Sequence, residues 1–166
     1  MRALVVYESM FGNTAAVAQA VADGLAETFE VTVADVHDRP PVTGMDLLVV
    51  GAPTHAFGLS RPATRADAAR QGEVRAGAQE YGVREYLDDL SLPAGAAVAV
   101  FDTKANKPML TGSAARKAAR RLHGLGARVV LPAQSFRVGG TTGPLIDGEL
   151  TRAQQWARSV AAAMPS

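Results

Sequence analysis

Glu8-Ser9-Met10-Phe11-Gly12-Asn13-Thr14 groups three short polar side chains around one glycine. It follows the apolar run Leu4-Val5-Val6-Tyr7 and precedes an alanine-rich segment. If the run is a strand and the segment a helix, the loop sits at the helix start. There, free amide hydrogens and the positive end of the helix dipole suit a phosphate. Gly12 lets the backbone come close, and Ser9, Asn13 and Thr14 add neutral donors. None of these residues is cationic, so the anion would be held by neutral groups. The same residues also read as a plain helix cap, with Asn13 or Thr14 as the capping residue. The position at the end of the first strand favours the phosphate reading.

Two further loops carry candidate chemistry. Gly51-Ala52-Pro53-Thr54-His55-Ala56-Phe57-Gly58 follows the apolar run Leu47 to Val50. A flat, electron-accepting ring needs backbone donors at its polar edge and an apolar or aromatic wall. A loop tethered by Pro53 and relaxed at Gly58 supplies both. His55 is the histidine at this site, placed to stack on a ring or to hydrogen-bond a quinone or a proton acceptor; the bland alternative is that His55 and Phe57 pack the loop. The third segment, Asp102-Thr103-Lys104-Ala105-Asn106-Lys107-Pro108, carries two lysines and one aspartate.

The elements that must position these loops follow from apolar periodicity. Leu4–Tyr7, Val31–Ala34, Asp46–Gly51 and Ala96–Phe101 read as short strands, and Arg128 to Leu131 begins a fifth. Val17, Val21, Leu25 and Phe29 form one stripe of a first helix. Ser113 to Leu122 is helical, with Gly124 expected as its left-handed cap. Asp147 can cap a last helix with the stripe Leu150, Ala153, Ala157, Val160 and Met164. Gly58 to Tyr81, with Arg61, Arg65, Arg70 and Arg75, reads as a surface excursion containing a helix, its arginines solvated or drawn to dinucleotide phosphates. Tyr86, Leu87 and Leu90 mark a further helical segment. This alternation favours a parallel sheet covered on both faces, of order 2-1-3-4-5, with ligands bound beyond the carboxyl ends of the strands.

Composition sets the outer bounds. The chain has 166 residues, 48% of them hydrophobic, which fits one domain over residues 1–166. Seventeen Lys and Arg against 16 Asp and Glu leave a formal net charge of +1. No overall field attracts nucleic acid or an acidic membrane. The absence of cysteine excludes disulfides, thiolate metal sites and cysteine nucleophiles. No apolar run approaches the ~20 residues of a membrane helix, so a cytoplasmic protein is expected. Three scattered histidines without cysteine do not suggest zinc. The strand ending Gly51-Ala52-Pro53 lacks the aspartate of a phosphorylation receiver domain, and the Walker phosphate loop, the dinucleotide glycine fingerprint and the hydrolase nucleophile elbow are all missing.

The first loop resembles the phosphate loop of the flavodoxin family, Thr/Ser-x-Thr/Ser-Gly-x-Thr, with Ser9, Gly12 and Thr14 matching. Phe11 stands where the family has a second hydroxyl residue, a variant similar to quinone-reductase branches. The second loop is similar to the Pro-Thr-x-Phe-Gly loop of those reductases, with Ala56 as one extra residue. The third lacks the ring-stacking tyrosine usual in flavodoxin carriers. The resemblance covers nearly the whole chain and is of the short-chain type. It implies a three-layer sandwich with a five-stranded parallel sheet and FMN as cofactor. FMN would be bound by Ser9, Met10, Phe11, Gly12, Asn13 and Thr14, by Pro53, Thr54, His55, Ala56, Phe57 and Gly58, and by Asp102, Thr103 and Lys104. His55 and Lys104 are the candidate catalytic residues; Lys104 near the ring would favour the fully reduced flavin, which is anionic near its N1 edge. Electrons would pass from NAD(P)H or another donor to a quinone-like molecule or a redox partner protein, by a monomer or a homodimer. The alternative is a binding or scaffold module of the same fold that has lost its flavin.

Overall fold

The computed structural model describes residues 1–55, 58–71, 80–106, 112–140 and 142–165. Its elements run β1 (Arg2–Tyr7), α1 (Asn13–Leu25), β2 (Glu30–Asp35), β3 (Leu47–Pro53), α2 (Pro62–Gln71), α3 (Val83–Asp89), β4 (Ala97–Ala105), α4 (Ala114–Gly124), β5 (Arg128–Val129), β6 (Gln134–Val138) and α5 (Glu149–Ala162). The strands are parallel and ordered β2-β1-β3-β4-β5, with β6 also on β4. The expected order therefore stands.

The apolar runs are continuous because both sheet faces are covered. Ala3 and Val5 of β1, Leu47 and Val49 of β3, and Ala99 and Phe101 of β4 point to the layer closed by α1 and α5. Leu4 and Val6, Leu48 and Val50, and Val98 and Val100 alternate with them and face α3 and α4. On the first face Phe101, Phe136 and Trp156 meet edge to face, with ring centroids 6.0–6.1 Å apart, a preferred aromatic geometry. The stripe Val17, Val21, Leu25 and Phe29 is buried as its spacing predicts.

Several expectations require correction. The fifth strand is two pieces: β5 pairs with Ala97–Val98, and β6 pairs with Phe101–Ala105. Pro132, with no amide hydrogen, lies in the gap. Strand β4 runs on to Ala105, so Asp102, Thr103, Lys104 and Ala105 are strand residues rather than loop. Gly124 stays in α4; the left-handed residue is Gly126, at φ 93°. Helix α5 starts from left-handed Gly148 with no side-chain cap, so Asp147 does not cap it. Leu150 is exposed, and Trp156 takes its place in the buried stripe. No described helix is long and apolar enough to cross a membrane.

Candidate functional site

A cleft of about 310 Å³ opens beyond the carboxyl ends of β1, β3 and β4. The first loop forms one wall with Ser9, Met10, Phe11, Asn13 and Thr14; Pro53, Thr54 and His55 form the second, and Thr103, Lys104 and Ala105 the third. Ten of the sequence-derived candidates therefore share one cavity. Gly12 contributes backbone only, at φ 92°. Gly58 closes the second loop through paired bonds to His55, 2.7 Å from His55 N to Gly58 O and 2.9 Å from Gly58 N to His55 O. Ala56 and Phe57 lie outside the described residues, as do Arg75, Lys107 and Pro108.

Asp102 does not line the cleft. It is fully buried and turns to the start of α4, where its Oδ2 accepts from Ser113 Oγ at 2.5 Å and from Ala115 N at 3.0 Å. Alternation along β4 is the reason: Thr103, the next residue, faces the other way and meets Thr14.

The start of α1 could accept an anion. The first intrahelical bond runs from Ala16 N to Gly12 O at 3.0 Å, so the amides of Asn13, Thr14 and Ala15 have no acceptor within the helix. No side chain caps it and its first turn holds no acid. Ser9 Oγ accepts from Gly12 N at 3.1 Å, which fixes the turn and leaves its hydroxyl hydrogen free to donate outward. Thr14 and Thr103 hydroxyls lie 2.7 Å apart; one donates to the other, leaving one hydrogen for a ligand. Asn13 Nδ2 instead donates to Thr142 O at 3.1 Å, tying the loop after β6 to the cradle. Gly143 stands at φ 105°, a conformation that favours glycine, and a Cβ there would lie 2.7 Å from that amide group.

His55 rests with Nδ1 3.2 Å from Thr64 Oγ1. Burial first, then the Arg65 charge, lower its pKa to about 4, so the ring is neutral at physiological pH. Lys104 Nζ donates to Gly112 O at 2.5 Å.

Sequence reasoning missed a fourth wall, Thr64, Asp67 and Ala68 of α2, and the lining by Val138; Gly140 lines the cleft as well. It also misread Arg65, which is fully buried rather than solvated. Its Nε donates to Ser60 Oγ at 2.8 Å, Ser60 Oγ donates to Glu8 Oε2 at 2.6 Å, and its guanidinium also engages Glu85. Glu8 accepts from Val83 N at 2.8 Å. Burial raises the Glu8 pKa, and Ser60, Val83 and Arg65 oppose that rise. This knot anchors α2 and α3 to the end of β1 and so holds the fourth wall. A Cβ on Gly82 would meet Glu8 Oε1 at 2.4 Å, so the knot needs glycine there. The available signal was Glu8 itself: a carboxylate directly after a strand covered on both faces has to find an internal partner.

The Flavodoxin family model matches residues 5–156. This chain belongs to the flavodoxin family. Among solved structures, a flavodoxin from the domain Archaea is 21% identical, with a TM-score of 0.73 over 98% of this chain and 97% of that one. Oxidised Flavodoxin 2 from Bacillus cereus is 22% identical, with a TM-score of 0.71 over 99% and 100%. A short-chain flavodoxin associated with a PDU bacterial microcompartment is 19% identical, with a TM-score of 0.68 over 98% of each chain. At these identities the likeness shows the fold. A search of curated proteins found no match.

Flavodoxins bind FMN and transfer electrons to redox partner proteins, and FMN is the cofactor of this flavodoxin. The cleft fits it: an uncapped helix start with neutral donors suits the phosphate, and a part-apolar cavity beside it suits the ring. The Ser9 and Thr14–Thr103 hydroxyls and the α1 amides would hold the phosphate. Pro53, Thr54, His55, Met10 and Phe11 would wall the ring.

Proposed function

We propose that this flavodoxin carries electrons two at a time from a reduced nicotinamide to a quinone-like molecule or a redox partner protein. FMN, when bound, supplies the electron-accepting and electron-releasing chemistry. The observation that carries the reading is the charge of the cleft wall: Lys104 and the neutral His55 line one cavity, and its carboxylate, Asp67, is paired with Arg70 at 2.7 Å. The Lys104 ammonium attracts negative charge developing on a reduced ring, which stabilises the fully reduced state. His55 offers a neutral imidazole, able to hydrogen-bond an acceptor without adding charge. The Glu8–Arg65 knot keeps Thr64 in place, and Thr64 orients His55. His55 and Lys104 thus have the catalytic roles, and residues 1–166 work as one domain.

The test begins with visible absorbance: purified protein should be yellow or turn yellow on titration with FMN. Turnover of NADH or NADPH with a water-soluble quinone should follow. Lys104→Met should lower the two-electron midpoint potential by about 30 mV, equivalent to about 1.4 kcal/mol of lost attraction. An unchanged potential, or flavin turnover absent with both nicotinamides, would defeat this reading.

A further inference from the structure

Charge is unevenly divided along this nearly neutral chain. Residues 3–38, which build β1, α1 and β2, hold six Asp and Glu and no Lys or Arg. Residues 103–146, from the end of β4 through α4, β5 and β6, hold eight Lys and Arg and no Asp or Glu. The strands β2 and β5 form opposite edges of the sheet. A net charge of +1 therefore conceals one acidic edge and one basic edge.

The basic edge reaches the cleft through α4. Arg116, Lys117 and Arg120 are exposed, and the first two lie in its opening turns. That is the end where the helix dipole repels cations, so the placement works against the helix. Lys117 crosses the second cleft loop, where a Cβ on Gly58 would lie 2.7 Å from its Nζ. Ala114 N donates to Thr54 Oγ1 at 3.1 Å, fastening the helix start to a residue of the cleft wall. Arg121, further along, is engaged by Asp88. A positive ridge thus borders the mouth through which electrons would leave.

We propose that the α4 ridge of Arg116, Lys117 and Arg120 is the docking surface for an acidic redox partner protein. Charge complementarity is the argument: opposite potentials steer encounter, raise the association rate and suppress partners of the same sign. The proposal rests on the reading of this chain as an FMN electron carrier, so FMN binding is checked first by absorbance. Failure there removes that reading and leaves docking without a purpose; success isolates the docking question.

The probe is one haem protein in two charge states: native cytochrome c, which is basic, and succinylated cytochrome c, which is acidic. The FMN-loaded protein is reduced anaerobically and mixed with each in a stopped-flow instrument. At low ionic strength the succinylated form should be reduced about tenfold faster or more, with the gap closing as salt is added. The Arg116→Glu/Arg120→Glu variant should narrow or invert the ratio while leaving oxidation by a neutral quinone unchanged. Equal rates, or faster reduction of the native form, would overturn the proposal. So would a variant that loses NADPH turnover but keeps the ratio, because the ridge would then serve a dinucleotide. Salt-sensitive self-association in sedimentation, abolished in the variant without a change in ratio, would assign the ridge to a second copy instead. If the variant fails to fold, the salt dependence of the unmodified protein decides the matter alone.

Discussion

Helices α1 and α4 each follow a central strand and start at the same end of the sheet, yet their first turns are finished in opposite ways. At α4 every early amide has a partner. Ala114 N reaches Thr54 Oγ1 at 3.1 Å, Ala115 N reaches Asp102 Oδ2 at 3.0 Å, and Arg116 N reaches Ser113 Oγ at 3.2 Å. A buried carboxylate already occupies the anion position. At α1 no side chain caps the helix, the turn is held by left-handed Gly12, and the first turn carries no acid. One terminus is filled by the chain itself and the other is left for an anion from outside. The proposed phosphate site is therefore marked by what the protein withholds from α1 as much as by what it places there.

Making α1 imitate α4 should have the largest effect. Ser9→Asp brings a carboxylate to the cradle, where like-charge repulsion costs several kcal/mol. FMN affinity should fall about a hundredfold or more, whereas riboflavin, without the phosphate, should bind nearly as before; fluorescence titration with both flavins measures the difference. The converse change, Asp102→Asn, removes a charged acceptor from α4. It should cost about 1–3 kcal/mol in urea unfolding while FMN affinity holds. A large loss of FMN affinity there would put Asp102 in the cofactor site after all.

Gly12→Ala sharpens the contrast on the backbone side. The added Cβ meets nothing within 4 Å, so the penalty is conformational, about 1–2 kcal/mol for a left-handed alanine, and is read from the thermal midpoint of the apoprotein. A further contrast concerns protons. With the His55 pKa lowered to about 4 from the ordinary 6.5, the unfolded chain binds the extra proton between those values. The stabilising contribution is complete above pH 6.5 and is lost as pH falls towards 4. His55→Gln should flatten that part of the pH–stability curve, as seen by denaturant unfolding at stepped pH.

How much of this was legible beforehand depends on the range of the interaction. The apolar runs of β1 and β3, the stripe of α1 and the Ser9–Thr14 loop are local patterns, and they placed the sheet order and two cleft walls. The continuation of β4 to Ala105 could not be read locally, because Lys104 and Ala105 become strand only by pairing with Arg137 and Val138 of β6. The break at Pro132 was visible as a residue, but that pairing resumes beyond it depends on the same partner. Arg65 looked solvated because its composition is that of a surface helix; its burial follows from Glu8, distant in sequence and adjacent in space. Asp102 was assigned to the ligand by loop reasoning, and a one-residue alternation in a longer strand turned it to α4.

One feature of the core offers an optical handle. The chain's sole tryptophan, Trp156, is clamped between Phe101 and Phe136 on the sheet face opposite α3 and α4. Its ultraviolet emission overlaps the near-ultraviolet absorption of oxidised flavin, so energy transfer should dim it as the cofactor enters. Occupancy and unfolding can then be followed in one cuvette, without a label, from a single indole.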